Sequence, residues 1–172
     1  MAPQNTFLFS DTVARNVMLS AADPDGEPET FTELASLHSE LEELKEGYDT
    51  MLGERGVNLS GGQRQRLAIA RAIAADPKVL ILDDCLSAVD ARTEEAILGN
   101  LRRVFDGRTG VIISHRVRAV QRCDQIIVLE EGRVTERGTH AELIEANGYY
   151  ARIAAEQTDS EDHEDHTTGA AE

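Results

Sequence analysis

Leu59-Ser60-Gly61-Gly62-Gln63 is the stretch whose residue types and spacing point most directly to chemistry. A serine precedes two glycines, and a helix-forming run begins behind them, the pattern of a loop entering a helix. Ser60 suits the N-cap, and the glycines let backbone N–H groups come close to a ligand. A helix start adds unpaired donors and a partial positive charge, so the turn suits a phosphate. Taken alone, it suits an ordinary glycine-containing helix start equally well. Leu80-Ile81-Leu82-Asp83-Asp84 is the second candidate. An apolar strand ending in carboxylates puts hard oxygen ligands, the kind Mg²⁺ prefers, at the C-terminal edge of a sheet. An acidic loop after a strand is the plainer alternative. Ser114-His115 follows the apolar run Val111-Ile112-Ile113 and predicts a further polar group on the same edge, although a lone histidine also serves structural roles.

The elements that must position these residues follow from periodicity. Pro3 to Phe9 reads as extended, and Asp11 to Met18 as a short helix with Asp11 as N-cap. Ser20 to Thr30 is a polar loop. Phe31 to Lys45 predicts one helix, because Leu34, Leu37, Leu41 and Leu44 share a face that packs on the domain while its glutamates are solvated. Ser60 opens a helix that runs to about Ala75, where Asp76-Pro77 ends it. Val79 to Leu82 and Val111 to Ile113 read as buried parallel strands, with a helix from Ala91 to Phe105 between them. Ile126 to Leu129 is a third strand, and Glu131-Gly132 turns it into a hairpin with Arg133 to Arg137. Thr139 and Glu142 have capping-box spacing ahead of a last helical region, in which Tyr149-Tyr150 packs. Strands alternating with helices make an α/β class with a parallel sheet.

The 172 residues suit one domain or a piece of a larger one. Acids outnumber bases 32 to 17, for a net charge of −15. That balance argues against a nucleic-acid or anionic-membrane surface. Residues 156–172 hold seven acids and no Lys or Arg, and the rest keeps 25 acids against 17 bases. This acidic stretch predicts disorder from Thr158 onward. His163 and His166 within it read as solvated rather than metal-binding. No apolar run reaches the length of a membrane span, and the N-terminus does not read as a secretory signal. Cys85 and Cys123 lie far apart and read as free, buried thiols in a reducing compartment.

With these motifs in this order, the sequence resembles the ATP-binding domain of ABC transporters over about residues 3 to 155. Pro3-Gln4 resembles the Q-loop, and Leu59–Gln63 matches the signature motif letter for letter. Val79–Asp83 resembles the Walker B strand, Ser87-Ala88-Val89-Asp90 the D-loop, and His115 the switch histidine. Phe7 to Thr12 and Gly53-Glu54-Arg55-Gly56 resemble the exporter branch, where these segments meet the coupling helices of a transmembrane domain. The resemblance implies an α/β fold, a partial P-loop NTPase core plus the α-helical subdomain. The implied segments are 1–10 (Q-loop), 11–75 (helical subdomain), 76–156 (C-terminal part of the core) and 157–172 (acidic disordered tail). It implies ATP and Mg²⁺ as cofactors. Ser60, Gly61, Gly62 and Gln63 would face an ATP held by a second ATP-binding domain. Asp83 would hold Mg²⁺ through water, with Gln4 sensing it. Asp84 would act on the attacking water, His115 would contact the γ-phosphate, and Asp90 would work across the dimer interface. Such positioning of scattered loops around one phosphate is what phosphoryl transfer requires. The place implied is the cytoplasmic face of the plasma membrane beneath a transmembrane domain, or the cytoplasm for a free fragment.

Two departures modify that expectation. A Walker A loop needs Gly-Lys followed by Ser or Thr. The only lysines, Lys45 and Lys78, follow Leu44 and Pro77. The resemblance implies that the missing half would precede Met1, with the phosphate-loop strand between the Val111–Ile113 and Ile126–Leu129 strands. The chain alone is expected to bind no ATP, and its sheet to have either an open slot or direct pairing of those two strands. An open slot predicts low solubility. Secondly, Asp84 stands where the family usually has Glu. Its carboxylate would fall about 1.5 Å short of the water, as in the degenerate subunit of heterodimeric exporters. Two other readings stay open: a non-enzymatic module that only binds partner subunits, and a soluble ABC ATPase outside transport, against which Phe7–Thr12 and Glu54-Arg55-Gly56 argue.

Overall fold

The computed structural model describes residues 1–3, 6–23, 25–53 and 59–165, with backbone only from 159. The chain forms two compact units, Met1–Ile113 and Ser114–Glu172.

In the first unit, α1 (Val13–Met18) is capped by Thr12, whose hydroxyl accepts from the Arg15 N–H. Asp11 stands one residue outside and accepts from the Thr12 N–H, which corrects the N-cap expected from the sequence. The expected helix over Phe31–Lys45 is also corrected. It is two helices, α2 (Pro28–Leu34) and α3 (His38–Glu42), broken at Ser36, which takes a left-handed φ of +51°. The leucine stripe survives the break: Leu37 and Leu41 are fully buried, and Leu34 and Leu44 pack against the core. Burial of apolar area, roughly 1.5–3 kcal/mol per such side chain, is satisfied by the two-helix path. A 3-10 turn at Gly47–Asp49 follows.

Helix α4 (Gly61–Ala74) is the centre of this unit. Leu67 to Ala70, Ala72, Ile73 and Ala74 are buried, and the helix packs against α1 and α2. Its many alanines let neighbours approach from several sides. Strand β1 (Val79–Asp83) pairs in parallel with β2 (Thr109–Ile113), Asp83 opposite Ile113. Between them runs α5 (Ala91–Phe105), capped by Asp90 and burying Ile97 and Leu101. Leu80 and Leu82 are buried, but Val79, Val111 and Ile113 are exposed. The expectation of buried strands is thus corrected for β2, which has one paired neighbour and one packed face. A strand needs cover on both faces to justify a continuous apolar run.

In the second unit, α6 (Val117–Val120) precedes an antiparallel hairpin of β3 (Ile126–Glu130) and β4 (Arg133–Gly138). Strand β3 alternates, with Ile126 buried and Ile127 and Leu129 exposed, so it is half-buried rather than fully buried. Among the described residues β2 belongs to the sheet with β1 and β3 to the sheet with β4, not to one sheet by direct pairing. Helix α7 (His140–Glu145) begins with the expected Thr139–Glu142 capping box. Helix α8 (Tyr149–Asp165) continues into the acidic stretch expected to be disordered from Thr158; residues 166–172, His166 included, lie outside the described residues. Once a helix is nucleated, each further residue costs little. Among the described residues no helix is long and apolar enough to cross a membrane.

Candidate functional site

The signature turn is built by a reciprocal cap. Ser60 Oγ accepts from the Gln63 N–H (3.1 Å), and Gln63 Oε1 accepts from the Ser60 N–H (2.8 Å). Ser60 is exposed and Gly61 to Gln63 are half-buried. With Gln63's amide N–H tied to the cap, the N–H groups of Gly61 and Gly62 are the first-turn donors that helix geometry leaves without an intrahelical partner. Packing requires the second glycine as well. A Cβ on Gly62 would stand 2.8 Å from the Ala88 carbonyl oxygen, whereas one on Gly61 would meet only the Ala88 Cβ at 3.6 Å.

Two side chains that sequence reading did not single out hold this turn. Glu40 of α3 accepts from Gln63 Nε2 (2.9 Å) and, in a fork, from both terminal nitrogens of Arg66 (2.6 and 3.0 Å). Arg66 is buried and also donates to the Ser36 carbonyl. Hydrogen bonding from Arg66 holds the Glu40 carboxyl below the usual glutamate range. Gln65, also buried, donates to Ser87 Oγ (3.1 Å) and accepts from the Ala88 N–H (3.0 Å). One amide thereby ties the signature helix to the segment ahead of Asp90. No spacing rule finds these contacts, because the partners are 22 to 30 residues apart.

The Walker-B-like edge joins the same network. Ser87 Oγ donates to the Asp84 carbonyl (2.9 Å), and the Asp84 N–H donates to the Ile113 carbonyl (2.9 Å). Asp84 has a left-handed φ of +45°, a conformation that Asp adopts more readily than most residues. Asp83 ends β1 half-buried, its N–H bonded to the Ala2 carbonyl. Next to them Cys85 is buried; desolvation, then the charges of Asp84 and Asp83, push its thiol up to about 12. Asp90 is exposed and accepts from the Thr93 N–H, which lowers its pKa. Gln4 and residues 54–56 lie outside the described residues. His115 opens the second unit, exposed, just after β2.

Among the described residues no group of three or more His, Cys, Asp or Glu forms a metal cage. Asp83 with Asp84 nonetheless fits an ion that keeps most of its waters and takes its other ligands from phosphate, as Mg²⁺ does. On the N-terminal side, Phe7 and Phe9 are exposed and stack edge to face, with a ring separation of 5.0 Å. Arg71 of α4 fixes them by donating to the Phe7 carbonyl and to Asn16, with its guanidinium over the Phe9 ring. With Met1 and Pro3 they wall an open, mainly apolar hollow of about 190 Å³.

Comparison with known proteins places these features. The family model described as "ABC transporter" matches residues 1–87. The chain is 50% identical over 153 residues to the ABC transporter ATP-binding protein YknU of Bacillus subtilis, covering 87% of this chain and 26% of that protein. It is 49% identical over 148 residues to the multidrug resistance-like ATP-binding protein MdlA of Escherichia coli, covering 86% and 25%. A structure of a bacterial Atm1-family ABC exporter with ATP bound superposes with a TM-score of 0.85 at 39% identity, covering 91% of this chain and 28% of that one. The chain spans about a quarter of the length of the curated relatives it matches.

Proposed function

The chain belongs to the ABC transporter family, and from that premise we propose that it serves ATP-driven export by completing a nucleotide site shared with a second ATP-binding domain. Its fold is that of the ABC ATPases, and its relatives are of the exporter and multidrug type. In this reading Ser60, Gly61 and Gly62 offer a hydroxyl and two amides to the γ-phosphate of an ATP carried by the second domain, and Gln63 holds the turn in shape. Asp83 would hold Mg²⁺, with Gln4 sensing it, and the ion would supply charge neutralisation on the phosphates. Asp84 orients the attacking water, His115 contacts the γ-phosphate, and Asp90 acts at the domain–domain contact. The apolar hollow at Phe7 and Phe9, with the Gly53–Gly56 segment, receives the transmembrane domain on the cytoplasmic side of the plasma membrane.

The observation that carries this reading is the exposed Ser60, held in a reciprocal capping box beside two glycines of which Gly62 has no room for a side chain. The matching experiment mixes the chain with an ATP-binding domain that carries a Gly-Lys-Ser/Thr loop and follows association by light scattering. ATP with Mg²⁺ is expected to drive association, and Ser60→Arg to abolish it. Association that ignores both ATP and Ser60→Arg would remove the reading.

One observation favours a second reading, a non-catalytic interaction module: no Gly-Lys-Ser/Thr run occurs in these 172 residues. Under both readings the isolated chain binds no ATP at micromolar concentration. They separate on Asp83→Asn and His115→Ala, which abolish ATP turnover of the assembled protein in the first and leave it unchanged in the second. Asp84 in place of Glu supports a heterodimer in which this subunit's own site is the weaker.

A further inference from the structure

Gln157 lies 42 residues beyond His115, on α8, and makes two hydrogen bonds to the loop that carries that histidine. Its Oε1 accepts from the Val117 N–H (2.8 Å), and its Nε2 donates to the His115 carbonyl (2.8 Å). The two bonds flank Arg116, whose own N–H is taken by Ser114 Oγ (3.0 Å). The His115 carbonyl and the Arg116 and Val117 N–H groups of the loop are thereby pinned. A side-chain amide suits this from one residue, since it carries an acceptor oxygen and a donor nitrogen on the same carbon.

The rest of the second unit holds Gln157 in place. Tyr150 is buried and stands seven residues before it, two helical turns back on the same face of α8. Tyr150 OH bonds His140 Nδ1 (2.8 Å), and Glu136 of β4 accepts from the Tyr149 and Tyr150 N–H groups at the start of the helix. A side chain at position 148 would overlap the Glu136 carboxylate, so Gly148 lets this cap form. From β4 to α8 to the histidine loop, a continuous set of hydrogen bonds fixes the backbone on which His115 stands.

We propose that Gln157 is a positioning residue for His115, so that α8 sets the geometry of the histidine in ATP hydrolysis. The inference rests on the role given to His115 above and adds what holds it there. A histidine that touches the γ-phosphate mainly in the transition state affects turnover when displaced and leaves ATP binding nearly unchanged.

The test compares wild type with Gln157→Leu, which lacks donor and acceptor, and Gln157→Glu, nearly isosteric but without the donor at neutral pH. Amide exchange of Val117 is measured on the full chain, and kcat and KM for ATP on the membrane-assembled protein. Gln157→Leu is expected to speed Val117 exchange by about 10-fold or more. Both variants are expected to lower kcat by about 10-fold, within the roughly 10²-fold cost of an ångström-scale misplacement, with KM within about twofold of wild type. Unchanged Val117 exchange in Gln157→Leu overturns the proposal. So does an unchanged kcat in both variants, or a KM that rises as much as kcat falls. Should Gln157→Leu fail to fold, Gln157→Glu alone decides by the same split. A wild-type assembly with no ATP turnover would sink the proposed function instead, and the exchange measurement would then decide the clamp by itself.

Discussion

Asp84 combines a shorter side chain than the family's usual glutamate with a left-handed backbone, φ +45°. Asp suits that backbone better than Glu does, so in the proposed role at the attacking water, reach and local strain oppose each other. Lengthening the side chain restores about 1.5 Å of reach, and ångström-scale placement is worth up to about 10²-fold in rate. Asp84→Glu is therefore expected to raise phosphate release from the assembled protein by about 10-fold, the strain consuming part of the gain. Asp84→Asn is expected to lower it. A Glu variant no faster than wild type would show that this site does not limit turnover. The neighbouring Cys85 thiol, pushed up to about 12 and buried, carries negligible thiolate near neutrality. Iodoacetamide at pH 7.5 is expected to leave Cys85 unlabelled in the folded chain and to label it in urea, as mass spectrometry of the peptides would show.

At the scale of elements, the junction of α3, α4 and the turn ahead of α5 is where packing and chemistry meet. Gly62→Ala drives a Cβ to 2.8 Å from the Ala88 carbonyl oxygen, while Gly61→Ala makes an ordinary 3.6 Å contact. Overpacking of that kind costs about 1–3 kcal/mol. Urea unfolding of dilute protein is expected to show that loss for Gly62→Ala and little change for Gly61→Ala. Equal effects would mean that the turn tolerates displacement. The Glu40–Arg66–Gln63 fork adds a pH dependence. The Glu40 carboxyl is lowered in the folded state, so its contribution is present above the ordinary glutamate pKa and lost as pH falls through the lowered one. Its side chain is 39% exposed, so solvent screens part of the effect. Wild type is expected to exceed Glu40→Gln in stability by about 1 kcal/mol at pH 7 and to converge with it once acid has protonated the Glu40 carboxyl. A gap that persists in acid would assign the effect to shape rather than charge.

For the molecule as a whole, charge and exposed apolar strands set behaviour. A net charge of −15 gives no basis for nucleic-acid binding. Strand β2 exposes Val111 and Ile113, and the β3–β4 hairpin exposes Ile127, Leu129 and Val134. Exposed strand edges with apolar side chains template association. The isolated chain is expected to self-associate as its concentration rises, and the assembled protein to lack that dependence. Sedimentation that stays monomeric up to about 100 μM, far above the micromolar range where such edges associate, would contradict this.

Much of this architecture was legible in local pattern. The α5 helix, the Thr139–Glu142 box, the strands β1 and β2 themselves and the Ser60 helix start all follow from residues within a few positions of one another. Motif spacing likewise marked Ser60–Gln63, Asp83 and Asp84 as the candidate site residues of the proposal. The break at Ser36 was not legible, since the leucine stripe reads the same whether one helix or two bury it. Nor was the exposure of β2, because an apolar run says nothing about how many neighbours cover it. The residues that hold the site, Glu40, Gln65 and Gln157, have no local signal at all. Each acts on a group 22 to 42 residues away, and hydrogen bonds at that separation exist only once folding has brought distant backbone together. Sequence determined which groups can do chemistry, because that depends on side-chain type and short-range periodicity. Tertiary structure decided what keeps them in place, because that depends on long-range contact.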